Sequence, residues 1–457
     1  MMVHDGRNFD AQWHSCRITG LTPGRYHGPG LMEKSTRSLR RLELNLFAGS
    51  QPALLWSQAP DDTQHMAPER TPNNASAQLP AYGAIVLLSI LGCAARPSSG
   101  RWLYFVPVAG LTLFFLFFTA TSDMVNDYSL GSWIASNLFV MADYLVLTDV
   151  QNTLRKKGPQ AHPTNLISSA PFSTRLRWAF DLFTSARGVG WQHESTAHIR
   201  KQRGGKAVHT RLDAVVQHLV GLARCLALYV LGDVAMQLNP SFRTDGPPFG
   251  AQVWWLRPTV LGHALAARGA IDAVYCGAGI VSVVSGLSEP DAWPPLFGSF
   301  VDAWSVQNVW GRVWHQMMRR FMTVHSKFVV DNTINPSNRT IRGLLKLSVA
   351  FFISSIIHFL GDYIVLQNMG SGAFKFFMLQ VVAIALESTV MAFLGRSIPR
   401  WCGRILGYVW VVCWFSVTLS LWVEPIVRAG FLESGWHHPV VVSTGATLRG
   451  LLGVDGA

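Results

Sequence analysis

Eight apolar blocks interrupt this sequence, each too long for a core strand: Ala81–Ala95, Trp102–Thr119, Ser132–Leu147, Ala214–Met236, Leu261–Leu287, Leu344–Leu366, Phe374–Leu394 and Ile405–Val423. A helix needs about 20 apolar residues to cross ~30 Å of hydrocarbon, whereas strands of globular cores run to about 10 at most. Charged residues make up 14% of the 457-residue chain, little more than half of the roughly 25% of an average soluble domain. The pattern excludes a disordered chain, a disulfide-stapled secreted domain and an ordinary cytosolic enzyme. It predicts an all-α polytopic membrane protein of about eight spans. The first block is short, and a re-entrant helix is its alternative. The fifth contains Arg268 and Asp272. Spaced i,i+4, they share a helical face where they can neutralise each other; a break into two half-spans is the alternative.

The formal charge is +12. A nucleic-acid binder carries such charge on a water-facing scaffold, and this chain has little of one. Basic residues beside apolar spans mark the cytoplasmic side of a bilayer instead. The loop between the third and fourth blocks holds Arg155, Lys156, Lys157, Arg175, Arg177, Arg187, Arg200, Lys201, Arg203, Lys206 and Arg211 against Asp181, Glu194 and Asp213. That excess predicts a cytosolic loop and, two spans later, a cytosolic Gly298–Arg342 segment whose sequon at Asn338 stays unmodified. A second sequon lies at Asn74. Residues 1–80 are polar and irregular, lack a signal-peptide core and read as an N-terminal extension in which Leu39–Phe47 is at most a short amphipathic turn. Residues 81–425 then form the multi-span domain and 426–457 a tail. The six cysteines form no CxxC pair and suit reduced or lipid-buried thiols rather than a disulfide or metal framework.

Few residues in this background can carry chemistry. His193-Glu194 followed by His198 imitates a zinc helix, but histidines at i and i+5 diverge by about 140°. Gly277-Ala278-Gly279 has neither the third glycine nor the strand of a dinucleotide fold and reads as packing glycine. Two histidines stand out. His315 lies in Asn308-Val309-Trp310-Gly311-Arg312-Val313-Trp314-His315-Gln316, with Arg319 and Arg320 following. Trp favours the membrane–water boundary and Arg there reaches headgroups or phosphates, so the stretch reads either as an interfacial amphipathic helix or as part of a site. His358 falls inside an apolar span. An imidazole is costly there unless it meets a partner or a polar cavity, so a function is its default reading and a hydrogen bond to a neighbouring helix the alternative. Asp362, one turn on, is placed to hold the second ring nitrogen.

In this order, Trp293-Pro294-Pro295-Leu296-Phe297-Gly298-Ser299, then Trp310-Gly311-Arg312-Val313-Trp314-His315-Gln316, then Ser354-Ser355-Ile356-Ile357-His358 resemble the wax synthase-like branch of the membrane-bound O-acyltransferases. Within that branch the chain most resembles the fungal acetyltransferases of secondary metabolism. Tyr144–Asp149 and Ser185–Trp191 agree, and the resemblance covers about residues 82–425. Val309 stands where the family usually has Phe, Val313 where Arg is common, and Ser355 where Gly is usual. Ser355 is still small, so close helix approach beside His358 is preserved.

The resemblance implies a membrane-bound O-acyltransferase architecture in the endoplasmic reticulum membrane. The implied activity is transfer of acetyl from acetyl-CoA to a hydroxyl of an apolar terpenoid or meroterpenoid. His358 becomes the intramembrane base, and His315 the second polar group of the site, orienting the thioester or donating toward its oxyanion. Trp310, Arg312, Trp314, Gln316, Arg319, Arg320 and Asp362 become candidates for binding substrate or CoA, with Lys327 nearby. Acyl-CoA is a co-substrate, and neither a resident cofactor nor a metal is expected. No activated Cys or Ser adjoins either histidine in sequence, which favours direct transfer over an acyl-enzyme. The partners implied are the bilayer, acyl-CoA and an apolar alcohol, with no nucleic acid. Two other readings stay open: a long-chain wax-ester or sterol-ester synthase, and a transporter or silent scaffold. Asp233, Glu387 and the Arg268–Asp272 pair would speak for the last, because intramembrane carboxylates often mark ion pathways.

Overall fold

The computed structural model describes residues 73–98, 100–157, 167–194, 210–394 and 399–433. Its main helices, in chain order, are α1 (Ala75–Ala94), α2 (Phe105–Phe118), α3 (Met124–Ala142), α4 (Phe172–Phe183), α5 (Arg211–Gln237), α6 (Leu261–Val284), α7 (Arg319–Lys327), α8 (Arg339–Leu366), α9 (Ala373–Leu394) and α10 (Arg400–Arg428). No strand occurs among the described residues. Eight helical segments among the described residues are long and apolar enough to cross a membrane, α2 counting together with the 3-10 turn Arg101–Tyr104 before it, and α4 and α7 are the two that are not. The expected spans are therefore present. Cys16, Leu39–Phe47, His198 and the basic residues 200–206 lie outside the described residues.

Local chemistry sets the helix ends. α1 begins at Ala75, upstream of the first apolar block, and its 20 residues give about 30 Å. That is a spanning length, so the re-entrant alternative falls. Asp123, Thr210 and Asn338 cap α3, α5 and α8, each side chain accepting from a backbone N–H of the first turn. α10 continues to Arg428, so helix extends past the 425 boundary.

α6 runs unbroken from Leu261 to Val284. Each of the two charges expected to neutralise each other has a partner on another element. Asp272 takes Arg224 of α5 as its ion partner at 3.5 Å. Arg268 lies over the rings of Phe297 and Phe300, 4.8 and 4.1 Å from their centroids, and donates to the Gly298 carbonyl at 2.9 Å.

α8 is the central helix: 61% of its apolar window is inside the protein, against 28–44% for the other spans. It packs on α3, α7 and α9. Leu226 of α5, Val274 of α6 and Val409 of α10 are left exposed, as a lipid-facing surface requires.

Candidate active site

Between α6 and α7 the chain forms no long helix, and its shape is imposed from outside. Arg187, 4% exposed, donates to the carbonyls of Pro295 (2.8 Å) and Pro294 (2.7 Å) and also bonds the Tyr275 hydroxyl. Tyr275 in turn donates to Pro294 O at 2.8 Å. The prolines have no N–H of their own, so their carbonyls are the handles available. Further on, Gly298 N–H donates to Val313 O at 3.0 Å. A Cβ at Gly298 would collide with the Arg312 carbonyl, so only glycine lets these two runs of backbone touch. Phe297 is thereby set edge-on to Trp314 (5.4 Å) and to His315 (5.7 Å).

The next turn, Val306–Asn308, is capped by a different helix. Val306 N–H (2.6 Å) and Gln307 N–H (3.1 Å) donate to Glu387 of α9, which also accepts from Trp410 Nε1 of α10 at 2.8 Å. A π turn follows over Val309–Val313. It is closed by Gln316, whose amide donates to Trp310 O (2.9 Å) and Trp314 O (2.8 Å). Trp310 packs among Phe351, Phe376, Phe377 and Phe415, with its indole N–H toward Gln380 Oε1 at 3.5 Å. The stretch is thus an inward-facing wall held by α9 and α10. The interfacial amphipathic helix is not what forms. Burial, with the Arg187 charge adding to it, holds the pKa of His315 down at about 4, so its ring is neutral near pH 7.

His358 lies eight residues before α8 ends at Leu366. Its Nδ1 is 3.2 Å from the hydroxyl of Tyr128 on α3. The ring stacks on Phe377 of α9 (4.7 Å, 9°) and meets Trp422 of α10 edge-on at 4.8 Å. His315 is within electrostatic reach. Both rings are only partly buried. Phe377 touches both Trp310 and His358 and so joins the two halves of the site.

Other expected residues have different tasks. Asp362 does not hold His358; it accepts from Trp422 Nε1 (2.8 Å) and from the Ser371 hydroxyl, tying α8 to α10 and to the turn before α9. One turn along the same helix it meets these donors, and Tyr128 occupies the ring nitrogen instead. Arg320 is ion-paired to the fully buried Asp143, Nε to Oδ2 at 3.0 Å, and lies over the Tyr144 ring. Its charge is already matched. Arg319 donates to Gln316 Oε1 at 3.4 Å, and Arg312 is half-buried in the π turn. Lys327 is held below the ordinary lysine pKa by burial first and by the nearby Lys346 second. Tyr128, Phe377, Gln380 and Trp422 carry no sequence signal that links them to His358 or Trp310. Away from the site, Cys225, Cys276 and Asp272 bring their ligand-type atoms within 4.8 Å of one another across α5 and α6, a proximity that their scattered spacing conceals.

The profile of the Membrane bound O-acyl transferase family matches residues 293–379, the stretch from the Trp293 loop through α8 into α9. Acetyltransferase eriL of Hericium erinaceus is 32% identical over 368 residues, covering 79% of this chain and 94% of its own length. The chain belongs to this family. Acetyltransferase ple2 of Rhodocybe pseudopiperita is 30% identical over 379 residues, 78% of this chain and 96% of its own. O-Mevalon transferase yanI of Aspergillus niger is 25% identical over 370 residues, 74% and 81% of the two chains. No solved structure matches the chain. As a membrane-bound O-acyltransferase it is a multi-pass membrane enzyme, which sets the transporter and scaffold readings aside. The carboxylates that spoke for them have local partners: Glu387 two backbone amides and an indole, Asp272 Arg224, and Asp233 the Gln237 amide at 3.1 Å.

Proposed function

We propose that the enzyme transfers acetyl from acetyl-CoA to a hydroxyl of an apolar terpenoid or meroterpenoid in the endoplasmic reticulum membrane, with His358 as general base. The reading is supported by the aromatic chain that links the two histidines: His358 stacks on Phe377, Phe377 meets Trp310, Trp310 meets Trp314, and Trp314 meets the neutral His315. The acetyl donor is supported by the names of the two fungal acetyltransferases above. The alcohol O–H bond breaks as its proton passes to His358 Nε2, and the oxygen attacks the thioester carbonyl. His315 donates toward the developing oxyanion. The C–S bond then breaks, and the same proton leaves Nε2 with the CoA thiolate. Direct transfer fits the surroundings of His358, which bonds Tyr128 and no serine or cysteine among the described residues. Arg312, Arg319, Arg320 and Lys327 are the candidates for the CoA phosphates, Arg320 holding Asp143 as well. An alcohol soluble in lipid and a donor soluble in water require a site reached from both phases.

Microsomes carrying the enzyme, given labelled acetyl-CoA and a panel of terpenoid alcohols, are expected to form acetate esters detectable by mass spectrometry. His358→Ala should lose at least about 100-fold, the low end for a general base. Unchanged turnover would remove His358 from the mechanism, and preference for palmitoyl-CoA over acetyl-CoA would make the enzyme a long-chain ester synthase.

A further inference from the structure

We propose that Tyr128 is the positioning residue for His358: its phenol oxygen accepts the Nδ1–H of the imidazole, which leaves the Nε2 lone pair to take the alcohol proton. The inference rests on His358 being the base. A neutral imidazole carries one N–H, and the nitrogen that bears it is selected by the hydrogen bond available to each. At His358 the only partner of Nδ1 among the described residues is Tyr128 Oη, 3.2 Å away. Asp362, the carboxylate that would ordinarily do this work, is engaged by Trp422 and Ser371. Phe377 and Trp422 cover the ring with groups that cannot accept a proton.

The opposite arrangement, with the phenol donating to Nδ1, would put the proton on Nε2 and leave no base there. It would also leave the imidazolium formed during transfer with an unsatisfied Nδ1–H. The phenol's own hydrogen is left to seek an acceptor on α3, where Ser132, one turn along, has a buried hydroxyl that makes no hydrogen bond as the side chains stand. Both side chains sit over the same patch of α8: a Cβ at Gly361 would collide with Ser132 Oγ and approach Tyr128 Cε2 to 3.4 Å. A neutral oxygen acceptor has a physical advantage here. It orients the ring without bringing a full negative charge into hydrocarbon, where such a charge carries a large desolvation cost. The proton on Nδ1 stays in place throughout, while the reacting proton passes from alcohol to Nε2 to thiolate.

The test uses the full-length enzyme in microsomes with acetyl-CoA and whichever terpenoid alcohol of the panel turns over fastest, Tyr128→Phe being compared with His358→Ala. Phenylalanine keeps the ring contact with Phe431, 5.6 Å between centroids, and deletes only the oxygen. The expected result is a fall in kcat of about 10- to 100-fold with KM for acetyl-CoA within about twofold, as for loss of a charge-assisted hydrogen bond made in the transition state. The loss should be smaller on an acceptor analogue fluorinated beside its hydroxyl, because a weakened base is penalised less when the proton leaves easily. Turnover of Tyr128→Phe within twofold of the parent, with His358→Ala inactive, would overturn the role of Tyr128 and leave the base intact. So would a loss equal for both acceptors, or one explained by poor accumulation in the membrane. Full activity of His358→Ala would overturn the base and this inference with it.

Discussion

A carboxylate inside an apolar helix suggests an ion path, yet Glu387 is satisfied by two backbone N–H groups of the Val306 turn and by the Trp410 indole. Glu387 therefore fixes the turn that begins the His315 segment. Glu387→Gln turns an amide NH2 toward donors that need an acceptor, so at least one of the three bonds is lost. The expected result is a fall in kcat of about tenfold, the scale of one charge-assisted hydrogen bond, with KM for the acyl donor little changed. Steady-state kinetics in microsomes checks it; unaltered kcat would show that the turn holds itself. Residue types could be read from the sequence, and so could the prominence of His315 and His358. Their partners could not. Tyr128 and His358 are 230 residues apart, and Asp362, the neighbour that spacing offered, turns to Trp422 instead.

Among helices, the informative contact is that of α3 with α8. Gly361 leaves no room for a Cβ beneath Ser132, whereas a Cβ at Gly277 on α6 would meet nothing within 4 Å. Gly361→Ala is expected to push α3 away from α8, at about 1–3 kcal/mol for overpacking, and to lower activity more than tenfold. Gly277→Ala should leave activity within about twofold, since a helix tolerates alanine better than glycine. Ester formation and the temperature of half-inactivation, measured side by side, separate the two; equal behaviour would refute a close α3–α8 seam. The spans themselves were legible because length and apolarity are local properties. The structure altered their ends, starting α1 at Ala75 and extending α10 to Arg428, since capping and packing decide where a helix stops.

At the scale of the whole molecule, the fold keeps two histidines outside the spans uncharged. His193 is held at about 3 by burial first and by Arg320 and Lys157 second, and His315 at about 4 by burial and Arg187. In the unfolded chain each titrates near 6.5. Below that value the unfolded state binds more protons than the folded one, so stability is complete above about pH 6.5 and falls as the pH drops toward 4. Purified enzyme in detergent is expected to unfold at a lower temperature at pH 5 than at pH 7.5, which a thermal-shift series measures; a rise on acidification would contradict the assignment. Sequence by itself determined that the chain belongs in a bilayer and to which family its short motifs point, because hydrophobic run length and motif order need no knowledge of the fold. Tertiary structure alone decided which of those groups meet. Helix packing brings α3, α8, α9 and α10 around one imidazole, and no spacing along a chain encodes which faces of four separate helices will touch.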